Sequence, residues 1–264
     1  METIFIKLGG SLITDKTQAY QAQRETIARL AQEVKEIHDS CPKLKLMIGH
    51  GSGSFGHWAA KPYGTRQGVK SKTQWRGYAE VAAAAARLNR IVSDECQAAH
   101  VPALTIQPSA SARCHDGQLQ YIDTHPLHAA LAHGLMPLIY GDVALDDVRG
   151  GTITSTEDLF LYLAPELQPS RILLLGQVAG VLQPDGSVIP QITPHNASDV
   201  RQILAGSAGV DVTGGMADKV NRMLELVRRV PKTTVHILSG AEPGLLPRAV
   251  LDASLDTGTR ITAR

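Results

Sequence analysis

Glycine clusters occur three times in this sequence beside a basic side chain, lysine in two of them and histidine in the other, and that combination suits the binding of polyanions. The first is KLGGSLITDK, Lys7 to Lys16. Adjacent glycines let the backbone come close to a phosphate and turn several N–H groups toward its oxygens. Lys7 and Lys16 would supply countercharge. Taken alone, the segment fits a plain strand-to-helix turn with surface lysines equally well.

The second is GHGSGSFGH, Gly49 to His57. Gly51, Gly53 and Gly56 satisfy G-x-G-x-x-G, but a dinucleotide loop should open directly into a helix, with an acid on a second strand about 20 residues on. Here Pro62, Gly64 and Gly68 follow, and the next acid, Glu80, falls inside a helical pattern. A Walker A reading fails because His57 and Trp58 stand where Lys and Ser/Thr are required. What is left is an anion cradle with two histidines, His50 and His57, the latter read as functional.

The third is DVTGGMADK, Asp211 to Lys219, where Thr213 can cap a helix led in by Gly214 and Gly215. A helix N-terminus with free N–H groups is a ready phosphate site. A capped helix with a solvated lysine is the bland alternative. Three such loops with Lys7, Lys16 and Lys219 point to phosphoryl transfer, whose catalysis is largely positioning and charge stabilisation. Acids that could place Mg²⁺ or orient the lysines are Asp142 in YGDV and Glu157 and Asp158 in STEDL. Ser155 and Asp158 also resemble a helix capping box.

These loops need a scaffold. Short β-branched runs at Thr3–Leu8, Leu44–Ile48, Ala103–Ile106, Pro137–Tyr140, Arg171–Leu175 and Thr234–Leu238 read as strands. Between them, Ile27, Leu30, Val34 and Ile37 recur at helical spacing, as do Met216, Val220, Met223, Val227 and Val230, and Tyr78–Ala99 reads as a longer helix. Val143–Thr154 suggests a hairpin turning at Asp146–Gly151. Near-continuous apolar strands alternating with helices imply an α/β fold with a mostly parallel sheet covered on both faces. The prolines in Ala164–Ser170 mark a candidate seam between two lobes.

Composition narrows the class. The 264 residues fit one large domain or two joined lobes at roughly 100–200 residues each. With 26 Lys+Arg against 25 Asp+Glu, the net charge of +1 excludes a generally basic nucleic-acid binder. No apolar run approaches the ~18 residues of a membrane span, and no signal peptide is legible at the start. Three spaced cysteines without a C-x-x-C pair fit reduced thiols in a cytoplasmic protein. Ten histidines give no zinc spacing, so no protein-bound metal site is expected.

With K-L-G-G-S-x-I-T-D-K, G-x-G-S-F-G-H, Y-G-D-V, S-T-E-D-L and D-V-T-G-G-M-x-x-K in order, the chain resembles the amino acid kinase superfamily over nearly its whole length. S-F-G-H ending in His57 points to that family's isopentenyl phosphate kinase branch. The resemblance implies a three-layer α/β/α sandwich, 1–264, with an acceptor lobe (1–165) and a nucleotide lobe (166–264), often dimeric. It implies ATP-dependent phosphorylation of isopentenyl phosphate, with Mg²⁺, in isoprenoid biosynthesis.

Carried over by position, Lys7, Gly9, Gly10 and Ser11 would contact the ATP phosphates, with Gly53, Gly180, Gly214 and Gly215 completing the nucleotide site. Lys16 and Lys219 would stabilise the transferring group. Ser52, Gly53, His57, Gly141 and Asp142 would hold the acceptor, and Asp158 would position the lysines. The sequence departs from the family in LLGQVAGV, where Gln177 and Ala179 replace acids while Gly180 is kept. That departure bears on nucleotide preference. Rival readings are a sister kinase acting on a phosphonate such as fosfomycin, and a nucleotide-binding regulator without catalysis.

Overall fold

Strand β1 (Thr3–Leu8) shows why the sheet is buried on both sides. All six residues are buried: Ile4, Ile6 and Leu8 enter one core, and Phe5 enters the other. An alternating strand apolar on both faces must be covered on both faces. The computed structural model describes residues 2–206, 215–252 and 254–264.

After β1 come α1 (Gly10–Ile13), α2 (Arg24–Ser40), β2 (Lys45–His50), α3 (Gly53–Ala60) and α4 (Lys72–Ala98). Then follow β3 (Ala103–Thr105), β4 (Arg113–His115), β5 (Gln118–Tyr121), α5 (His125–Ala132) and β6 (Met136–Tyr140). The hairpin β7 (Asp142–Asp146) and β8 (Gly150–Thr154) leads to α6 (Thr156–Leu167) and β9 (Arg171–Gly176). The chain closes with β10 (Gln191–Ile192), α7 (Ala197–Gly206), α8 (Gly215–Arg229), β11 (Thr234–Ser239), α9 (Leu245–Leu251) and β12 (Thr259–Ile261).

Eight strands form the main sheet in the order β10-β12-β11-β9-β1-β2-β6-β3, parallel except where β12 meets β11. Helices α2, α3, α4 and α9 cover one face, and α5, α6, α7 and α8 the other. This is the three-layer α/β/α sandwich. A second sheet, β5-β4-β7-β8, carries the expected hairpin.

Two boundaries differ from the sequence reading by more than one residue. Helix α4 begins at Lys72, before Tyr78, because Ser71 and Gln74 form a capping box that the apolar spacing does not reveal. Strand β2 runs on to His50, two residues past Ile48, and delivers the second glycine loop. That loop opens directly into α3, contrary to the sequence reading, although the next element is again a helix rather than an acid-bearing strand.

A candidate phosphate-binding cleft

The chain moves from β1 to β2 on one side and later returns to place β9 on the other side of β1. In parallel α/β sheets ligands bind at such switch points, outside the carboxyl ends of the strands. The loops after β1, β2, β6 and β9 meet there around a cavity of about 510 Å³. Its walls include Gly10, Ser11, Lys16, Ser52, Gly53, Gly141, Glu157, Gly180, Gly215 and Lys219.

The first two glycine loops touch backbone to backbone. A Cβ on Gly10 would lie 2.6 Å from the Gly53 nitrogen, and Gly53 has φ +50, so neither position accepts a side chain without displacement. Thr14 fastens the loops together: its hydroxyl donates to the Gly10 carbonyl (2.7 Å) and accepts from the Ser54 N–H (2.9 Å). The Gly9 N–H donates to the Leu175 carbonyl at 2.8 Å, tying the same loop to β9. The His50 carbonyl accepts from the Thr156 hydroxyl (2.6 Å) and the Gly141 N–H (3.1 Å). One strand end therefore registers the starts of α6 and β7.

Lys7 is buried against Glu157, and the two form a hydrogen-bonded ion pair. Burial acts to raise the Glu157 carboxyl, but the charges of Lys7 and Lys219, together with hydrogen bonds from Lys7 and the backbone, hold the group below the usual carboxylate range. Glu157 thus faces two lysines. Asp158, to which the family resemblance gives the lysine-positioning role, is engaged elsewhere. It closes the capping box with Ser155 and pairs with Arg222 at 2.9 Å.

Asp142 is also set apart from the cleft wall. Its buried carboxylate accepts from the Ser109 N–H (3.1 Å) and the Val143 N–H (2.8 Å), and burial raises its pKa. His57 is exposed on α3, and neither it nor Lys7 nor Gly9 is among the residues lining the cavity. Gly214 falls outside the described residues, as do Asp211 and Thr213. His50 is fully buried, its ring stacked on Tyr140 and placed 3.1 Å from both the Gly51 carbonyl and the Asn89 side chain. Burial lowers its pKa.

The sequence reading placed Gly180 and Gln177 in the nucleotide lobe but missed the apolar part of the far wall. Val178, Leu182, Pro184, Leu204 and Met216 give it apolar surface, with Gln177 and Gln183 between them. Their signal is weak because they come from three separate segments. Arg66 was missed as well, and it lines the same cavity. A larger open groove of about 750 Å³ runs along α4 by Tyr20, Phe55 and Arg87. None of the loop glycines or lysines lines it, although Phe55 belongs to the second loop, and Arg87 rests over the Tyr20 ring at 5.0 Å.

A parallel α/β sheet whose carboxyl edge gathers glycine loops and lysines defines a phosphate-handling enzyme of the kinase type. The amino acid kinase family model matches residues 2–239, and the chain belongs to that family. It is 36% identical over 222 residues to an isopentenyl phosphate kinase of Methanocaldococcus jannaschii, covering 82% of this chain and 84% of that one. The isopentenyl phosphate kinase of Haloferax volcanii is 36% identical over 256 residues, covering 94% and 99%. A solved isopentenyl phosphate kinase structure superposes with a TM-score of 0.83 at 31% identity, covering 99% of this chain and all of the other.

Proposed function

We propose that this protein transfers the γ-phosphoryl group of ATP to isopentenyl phosphate, giving isopentenyl diphosphate and ADP. The bond from the γ-phosphorus to the bridging oxygen of ADP breaks as an acceptor phosphate oxygen attacks in line. The observation that carries this reading is one cleft where Lys16, Lys219 and Glu157, the last paired with the buried Lys7, meet two locked glycine loops, in a chain alike over its length to kinases of that name.

Among the described residues, Glu157 is the one carboxylate lining the cleft, and it is tied to Lys7. A hydroxyl acceptor would call for a general base. A phosphate monoester, with a second pKa of about 6, is already mostly dianionic at neutral pH and needs none. It needs cations and N–H donors to bring two anions together. Lys7, Gly9, Gly10 and Ser11 serve the ATP phosphates, with Gly180 and Gly215 beside them. Lys16 and Lys219 stabilise the transferring group, and Ser52, Gly53, Gly141 and His57 serve the acceptor. Residues 1–165 then form the acceptor lobe and 166–264 the nucleotide lobe.

Mg²⁺ would neutralise charge on the ATP phosphates. With Glu157 occupied, the ion would be held chiefly by those phosphates and water. Three free cysteines support a cytoplasmic setting, and no helix among the described residues is long and apolar enough to cross a membrane. The same reading includes a homodimer, which sedimentation measures.

The test is an acceptor panel: ATP with isopentenyl phosphate, fosfomycin or small amino acids, followed by ADP release and phosphorus NMR. ADP and a diphosphate should form with isopentenyl phosphate. ATP binding without turnover of that acceptor would overturn the reading.

A further inference from the structure

Arg66 stands in the segment 61–71 that joins α3 to α4, and that segment is anchored at both ends. The Tyr63 ring lies over Gly77 of α4, where an added Cβ would come within 2.1 Å of the ring. The Tyr63 hydroxyl donates to Glu80 at 2.7 Å. At the other end the buried Val69 donates its N–H to the Arg149 carbonyl at 2.8 Å, in the β7–β8 turn. Between these anchors the Arg66 carbonyl accepts from the Thr152 hydroxyl of β8 at 3.0 Å. The backbone of Arg66 is therefore fixed while its side chain is exposed and lines the cleft.

Among the described residues, no carboxylate pairs with the Arg66 guanidinium. The other cations lining the cleft come from different places: Lys16 from the loop after β1, and Lys219 from α8. Arg66 comes from the α3–α4 segment and is tied through its carbonyl to β8, the strand that leads through Thr154 to the cleft floor near Gly141. Of the other groups given to the acceptor, Ser52, Gly53 and Gly141 line the cleft and are neutral, while His57 is outside the lining. An acceptor monoester brings about −1.5 to −2 charges at pH 7. A guanidinium meets two phosphate oxygens with parallel N–H bonds, which an ammonium cannot do.

We infer that Arg66 binds the phosphate of the acceptor and makes the cleft selective for doubly charged phosphate-type acceptors. The inference rests on the kinase reading above. The test compares wild type with Arg66→Gln and Arg66→Lys. With isopentenyl phosphate, the Gln variant should raise acceptor KM about 10–100-fold and leave ATP KM within about twofold. The Lys variant should recover only part of the loss, because it restores the charge without the fork. Thermal midpoints should stay together, since the side chain is exposed.

Calorimetry with inorganic phosphate, without nucleotide, should detect binding to wild type that the Gln variant lacks. Unchanged acceptor KM in Arg66→Gln, with an active wild type, would overturn the inference alone. A rise in ATP KM without a change for the acceptor would overturn it too, by assigning Arg66 to the nucleotide. An inactive wild type would instead overturn the kinase reading, and calorimetry would then decide for or against Arg66 as a phosphate ligand.

Discussion

The two walls of the cleft are built from different material. On the β1–β2–β6 side, positions are set by backbone contacts and buried polar links: Gly10 against Gly53, Thr14 bridging both loops, the His50 carbonyl holding α6 and β7, and Lys7 on Glu157. On the β9–α8 side, the surface is largely apolar, from Val178, Leu182, Pro184, Leu204 and Met216. Hydrogen bonds are directional and fix geometry, whereas apolar burial is non-directional and scales with area. The first wall is suited to aligning reacting phosphates, and the second to holding a flat, partly apolar group whose exact pose matters less. The first should therefore be brittle to substitution and the second tolerant.

Lys7→Met should cost the most, about 3–5 kcal/mol of stability, because it strands the buried Glu157 charge. Urea denaturation measures it. The double variant Lys7→Met, Glu157→Leu should regain much of the loss, since a well-packed apolar pair can replace a buried ion pair. Lys16→Met should lower kcat about 100–1,000-fold, or about 2.7–4 kcal/mol, if its charge acts on the transferring group. Lys16 is exposed, so its thermal midpoint should hold. A pure KM effect would move Lys16 from transition-state stabilisation to binding.

Thr14→Val should cost about 1–3 kcal/mol by leaving the Ser54 N–H without its acceptor. Loss of activity beyond that of the folded fraction would show that the two loops have parted. The His50 contribution depends on pH. Burial keeps its folded pKa below the unfolded value of about 6.5, so the unfolded chain takes up a proton first as pH falls. Stability from this group is whole above that value and declines below it, no more steeply than about 1.4 kcal/mol per pH unit for one proton. His50→Gln should flatten the fall in thermal midpoint between pH 7 and 5. On the apolar wall, Leu182→Ala should raise ATP KM by only about fivefold, near 1 kcal/mol, with kcat little changed. A large kcat effect there would erase the contrast between the walls.

What could be read from the sequence follows the same division. β1 matches Thr3–Leu8 because every side chain in it is buried, and the phosphate loops announce themselves as glycine clusters beside lysine or histidine. Helix α3 was hidden because GSGSFGH has poor intrinsic helix propensity and is held helical by its neighbours. β4, β5, β10 and β12 are two to four residues long, too short to establish a period. In STEDL, sequence order could not say which acid turns toward the lysines. The capping box consumes Asp158 and leaves Glu157 facing inward. Arg66 carries no local signal, since its place depends on contacts with Gly77 and Thr152, distant in sequence.

Because β9 pairs with β1 and β11, the long segment from β2 to α6 contributes no strand next to it. Covalent continuity at residues 168–170 is thus not what joins the two parts of the sheet. They meet along the β1–β9 register, Ile4 with Arg171 through Leu8 with Leu175. A chain severed in that connection should yield complementing fragments. Lys16 would come from one fragment and Lys219 from the other, so phosphoryl transfer would report their reassembly.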